Sequence, residues 1–286
     1  YRSLDAGQTF QQYTVNWLWH DFSEISDIRI QLRSAREASI VFQGLENDIY
    51  SLYALNINNN HELEFTNQGH PLLSLPPGEQ FQDLDLTSVN SRTIIVTVLT
   101  SQENLKVYSW TRDSDAQNIY SSESVRSYNY LIPNSNGVPK YNLFYTFNDT
   151  DSTGLNFIAI EENELVESNI IYEFDQRIQN LYCSLSSNAQ CSGALQLEDS
   201  TIYSFASNNS GWNIHPVNTE TISGDLIDFH LLDKNEMTPV YSLVTENREG
   251  ATDLFIFRYN SLSNTSNRLI RAIPGITDYL LTQKDD

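Results

Sequence analysis

The sequence predicts an all-β protein, a β-propeller of four-stranded antiparallel blades, about six in number. Three observations predict it: a recurring unit of about 50 residues, four short strand-like runs inside each unit, and Asn, Asp, Ser and Gly turns between the runs. Each unit opens on a short apolar segment, commonly with an acidic residue near its start. The openers are Ile25–Leu32, Phe81–Ser88, Ser127–Asn134, Ile178–Leu185, Leu226–Asp233 and Ile276–Gln283. Successive openers start 56, 46, 51, 48 and 50 residues apart.

The runs that come after each opener justify the blade. In the first unit they are Ser39–Leu45, Ile49–Leu55 and Glu62–Phe65. In the second they are Thr93–Leu99, Leu105–Trp110 and a weak run near Asn118–Ser121. The third gives Tyr141–Phe147, Leu155–Ile160 and Asn169–Tyr172, and the fourth Gly193–Leu197, Thr201–Ala206 and Trp212–Val217. The fifth gives Val240–Thr245, Leu254–Tyr259 and Arg268–Ile273. All are too short for ordinary helices and rich in Val, Ile, Tyr, Phe and Thr, which suit a pleated, half-buried surface. Nearly continuous apolar runs such as Thr93–Leu99 fit strands buried on both faces. A parallel β-helix has shorter rungs, and a sandwich would not repeat so evenly.

Ring closure is expected in a sixth blade that pairs Gln12–Trp19 with Ile276–Gln283, which would hide otherwise bare sheet edges. The alternative is a fragment of a longer chain. The continuous repeat argues for one domain over residues 1–286. No stretch approaches the ~18 apolar residues of a membrane span.

The order of apolar opener, hairpin and fading fourth strand resembles the divergent WD40-like propeller superfamily, over residues 25–286. No Trp-Asp pair closes any blade, and with 11 Gly the kelch pattern is missing. The resemblance implies a rigid disc that presents loops and strand edges to other proteins. Propellers of this kind serve in assemblies of transcription initiation, nuclear pores and trafficking coats.

Net charge is −21, from 37 acidic and 16 basic residues. Binding to a nucleic-acid backbone needs clustered Lys and Arg, so it is disfavoured, whereas proteins with basic surfaces are suitable partners. His20, His61, His70, His215 and His230 are scattered, without metal-ligand spacing. There is no Gly-x-Ser-x-Gly elbow and no Gly-rich phosphate loop. The expectation is therefore a protein without catalysis, metal or cofactor. A propeller hydrolase would require a carboxylate pair that the sequence does not single out among 37 acids.

A glycan-binding, secreted propeller is the alternative. Ser207–Trp212 resembles the Asp-box of sialidase-like propellers, with Asn209 where the Asp would stand. Gly211-Trp212 is also similar to the blade ends of fungal fucose-binding lectins, although it occurs once here. Candidate contacts for a partner or ligand are Trp19, His20 and Trp212; Trp17 and Trp19 share one face of their strand. Cys183 and Cys191 flank a turn, and a disulfide is open to them if they face each other; two buried thiols are the plainer reading. Three sequons, at Asn148, Asn208 and Asn264, are no more than composition supplies. The compartment stays open, with nuclear or cytoplasmic preferred over secreted.

Overall fold

The computed structural model describes residues 21–32, 37–57, 63–65, 69–90, 93–111, 115–135, 138–148, 153–161, 163–185, 191–208, 211–217, 224–233, 240–246, 252–260 and 265–274. They form strands and connecting turns, with no α-helix among them. Five consecutive antiparallel meanders carry the architecture, each beginning at one of the first five openers. The expected closing blade, with Gln12–Trp19 and Ile276–Gln283, lies outside the described residues. The chain divides into two compact units: residues 1–102 with 106–118, and residues 103–105 with 119–286.

The first unit holds one blade and most of a second, whose chain passes into the second unit at Ile119. In the first, β1 (Glu24–Leu32), β2 (Ala38–Glu46), β3 (Ile49–Ile57) and β4 (Leu63–Phe65) run in order, and β5 (Leu73–Ser74) also pairs with β3. The second contains β6 (Phe81–Ser88), β7 (Thr93–Thr100), β8 (Leu105–Thr111) and β9 (Gln117–Ser122). Every residue of β7 is buried, as its unbroken apolar run requires. Val41, Leu52 and Ala54 of the first blade join Leu84, Ile94, Val96 and Trp110 of the second in one core cluster. Each fully buried side chain of this kind contributes about 1.5–3 kcal/mol. Arg29 fastens the two blades by donating its Nε–H to the Leu84 carbonyl at 3.0 Å.

The second unit holds three blades. The third blade orders β10 (Val125–Leu131), β13 (Tyr141–Asn148), β14 (Thr153–Glu161) and β15 (Glu164–Phe174); β11 (Asn134–Ser135) and β12 (Val138–Pro139) form a small hairpin inserted after β10. The fourth is β16 (Ile178–Leu185), β17 (Cys191–Leu197), β18 (Ile202–Asn208) and β19 (Gly211–Pro216). The fifth is β20 (Asp225–Asp233), β21 (Val240–Glu246), β22 (Thr252–Asn260) and β23 (Thr265–Pro274). Phe144, Leu155 and Phe157 pack against Leu195 and Phe205 between the third and fourth blades. Ala194 and Ile202 pack against Phe229, Leu243 and Phe255 between the fourth and fifth. Gln196 is fully buried at this second junction. Its Nε2 donates to the Gly224 carbonyl at 2.9 Å, and its Oε1 accepts from the Leu226 amide at 2.8 Å. Both ends of the amide are thus used, as burial of a polar group demands.

The acidic or amide residue of the opener marks a β-bulge. In four openers one residue is left over directly after the first: Gln82, Arg126, Gln179 and Ile227. In β1 the irregularity falls one step later, at Asp27, whose φ is 48°. Asp83 and Asp228 come directly after the extra residue, and each accepts the next amide on its own Oδ1 at 2.8 Å. Side chains that bond nearby backbone in this way steady an irregular strand. The same motif corrects the third opener. It begins at the fully buried Val125, not at Ser127, and Ser127 occupies the Asp or Asn position, bonded to Thr146 Oγ1 at 2.9 Å. A serine in that place conceals the register.

Candidate binding surface

The inner strands of the blades bury the core, so any recognition surface must be sought where large apolar side chains remain outside it. In the second unit that place is β15. This strand spans 11 residues and, among the described residues, pairs with β14 alone. Leu165, Val166, Ile170 and Tyr172 are all exposed, Ile170 to 59%. The register shows how the sequence produces this. Val166 and Ile171 are extra residues that oppose nothing on β14, so each is the second member of an apolar doublet at a bulge. The bulge at Ile171 turns that side chain toward the core cluster, while Ile170 is left outside.

Two contacts hold the strand in place. At one end Phe174 is buried, with its ring 4.8 Å from Tyr172 and 5.1 Å from Tyr203 of β18, so an aromatic ladder runs from the edge onto the fourth blade. Nearer its middle, the Tyr120 hydroxyl bonds Tyr145 and also reaches Ser168. Asn156 donates to the same Tyr145 oxygen at 2.8 Å. Burial and the paired Tyr145 push the Tyr120 phenol well up, so it stays a neutral donor and acceptor.

The electrostatics of this edge are one-sided. From Glu161 to Gln176 there are six carboxylates (Glu161, Glu162, Glu164, Glu167, Glu173 and Asp175) and no Lys or Arg. Lys140 pairs with Glu161 at 2.6 Å, opposite Glu164 at the start of β15, and Arg177 follows Gln176. The negative field is felt nearby: the Tyr203 phenol is raised by burial first, then by Tyr172, Asp199 and Asp175. Asp199 itself is lowered, chiefly by the Thr201 backbone amide.

The residues singled out in the sequence are scattered. Trp19 and His20, with Trp17, lie outside the described residues. Trp212 stands half-buried at the start of β19, with its ring 4.9 Å from Phe157, 5.4 Å from Phe144 and 6.2 Å from Phe205. Its principal contacts are therefore within the junction of two blades. Cys183 lies opposite Gly193, and Cys191 opposite Leu185, so the two cysteines are diagonal neighbours on one face. Diagonal positions lie ~7–8 Å apart by Cα, farther than a disulfide favours, and both are free thiols in the structure. Cys191 instead accepts a hydrogen bond from Asn142 Nδ2 at 3.0 Å. Burial pushes its thiol up to about 11, and burial and Cys191 raise Cys183. His215 is buried, its Nε2 2.6 Å from Ser204 Oγ. No group of three or more His, Cys, Asp or Glu side chains with metal-binding geometry occurs among the described residues.

Most of β15 escapes a reading of the sequence. The run Asn169–Tyr172 is visible there, but the stretch Glu164–Ser168 is rich in Glu, which strands avoid, and has the character of a loop. The doublets Leu165-Val166 and Ile170-Ile171 are the available signal.

No family model matches the chain, and no curated protein matches its sequence. Among solved structures it is similar to a mutant of AofleA from Arthrobotrys oligospora, at 13% identity over 86% of this chain and 74% of that one, with a TM-score of 0.45. It is also similar to the Aleuria aurantia lectin in complex with Fucα1-6GlcNAc, at 10% identity over 86% and 76%, TM-score 0.45. A third likeness is to the complex of the fission yeast SREBP-SCAP binding domains, at 9% identity over 98% and 83%, TM-score 0.41. At scores this low the likeness carries no argument about ligand or activity. The described blades are those of a β-propeller, and nothing in them distinguishes a WD40-like branch.

Proposed function

We propose that this protein acts by recognition without catalysis, as a β-propeller platform for another protein. The observation that carries the reading is β15: an 11-residue edge strand with four large apolar side chains in water and no strand beyond it among the described residues. Exposed apolar groups in that number on one strand are unusual for a surface with no partner. The acidic surround keeps such an edge soluble until a partner covers it. The test is affinity co-purification from the native source with wild-type protein and the variant I170E/Y172E, whose substitutions are both solvent-facing. Proteins that the wild type holds and the variant loses support the reading. Identical sets on the two baits contradict it.

A second reading is glycan binding. The Aleuria aurantia lectin was solved with a fucosylated disaccharide, and here half-buried Trp212 at a blade junction offers one aromatic ring. That ring packs against Phe144 and Phe157, which favours a packing role. A fucoside array separates the two readings. Sugar binding by the wild type that Trp212→Ala abolishes without unfolding would replace the protein platform with a lectin.

A further inference from the structure

The chemistry of β15 narrows the class of partner, a narrowing that rests on the recognition reading of this strand. An edge strand offers two things, a row of outward backbone N–H and C=O groups and the side chains that flank them. Extended peptides use the first for affinity and the second for specificity when they add a strand to a sheet. On β15 the flanking groups are aliphatic or aromatic (Leu165, Val166, Ile170, Tyr172) and carboxylate (Glu164, Glu167, Glu173), with no cation among them. Asn169 Nδ2 donates to Glu167 Oε1 at 2.6 Å, leaving that carboxylate in place at the middle of the strand.

A second copy of this chain is a poor occupant. Like charges facing each other across a strand pair are destabilising, and β15 against β15 brings acids and no cation to the seam. The whole chain, at −21, adds to that repulsion. A cationic segment meets the opposite situation: Glu164 and Glu167 share one face of the sheet, where its Lys or Arg heads reach them, while alternate aliphatic residues cover Leu165 and Ile170 on the other face. The two bulges divide the edge, and the regular run between them is Glu167–Ile170. The seat is therefore short, confined to that run and flanked by looser contacts.

We propose that the outer edge of β15 takes an extended segment of another protein, with Lys or Arg alternating with aliphatic residues, as an added strand centred on Glu167–Ile170. The probe is a synthetic peptide of alternating Lys and Val, with a Glu-Val peptide as its charge-reversed counterpart. Amide hydrogen exchange along the intact chain reads where each sits. The Lys-Val peptide is expected to slow exchange in 164–174, the Glu-Val peptide to leave it unchanged, and E164K/E167K to weaken Lys-Val binding by about tenfold. Equal Lys-Val binding by E164K/E167K would overturn the proposal, since the carboxylates facing the seat would then contribute nothing. Protection elsewhere with 164–174 unchanged would overturn it too, as would concentration-dependent protection of β15 without peptide, which marks self-pairing. Should these fail while I170E/Y172E still loses co-purifying proteins, recognition at β15 stands with another ligand chemistry. If both fail, the platform reading falls as well.

Discussion

His215 is the residue whose burial has the clearest consequence. Its ring is removed from water beside Ser204, and burial lowers its pKa from 6.5 to about 4. Between these values the unfolded chain binds a proton that the folded one refuses. Stability is therefore full above about pH 6.5 and declines as pH falls toward 4, by about 3 kcal/mol at most. Urea unfolding measured across that window should show the slope in the wild type and lose it in His215→Gln. Trp212 is expected to act as a packing residue: Trp212→Ala should cost about 3 kcal/mol, read from the same urea midpoints. Cys191 and Cys183 should resist alkylation near neutral pH in the folded protein and react once it is unfolded, because burial holds both thiols protonated. Individual residues were the least legible level of the sequence. That His215 is buried and Trp212 half-buried depends on a blade junction, which no local pattern encodes.

At the scale of the strand, the limiting feature is how closely neighbours approach. Gly193 on β17 sits where an added Cβ would collide with the Phe205 ring and the Tyr182 carbonyl. Backbone cannot yield as a flexible side chain can, so Gly193→Ala should destabilise by about 1–3 kcal/mol, seen as a lower thermal midpoint with unchanged β-sheet circular dichroism at low temperature. Strand identities were legible wherever apolar residues ran together: Thr93–Leu99 became β7 with one residue added, and Val240–Thr245 became β21 likewise. Edges were not. β15 is assembled from acidic residues and two bulged doublets, and bulges break the period of two on which strand reading depends. The Ser127 opener failed for a related reason, since the bulge moves the buried apolar residue two places ahead of it.

At the scale of the molecule, the repeat was the legible quantity, because every blade solves the same burial problem with the same four strands. What the partner is was not legible, since recognition needs only a few residues on one edge. A second exposed apolar face lies on β1. Ile28, Ile30 and Leu32 of β1 are turned to water, while Arg29 on the opposite face bonds the second blade.

The central claim is that β15 is where this protein meets its partner. Its most direct test is site-specific photo-crosslinking in extract of the native source, with the photoreactive residue at position 170 and, in a control, at position 126. The account predicts a discrete protein adduct from 170 that maps to a basic, extended segment of the partner and is not formed from 126. Adducts from 126 alone, or none from 170 under conditions in which partners still co-purify, would contradict it.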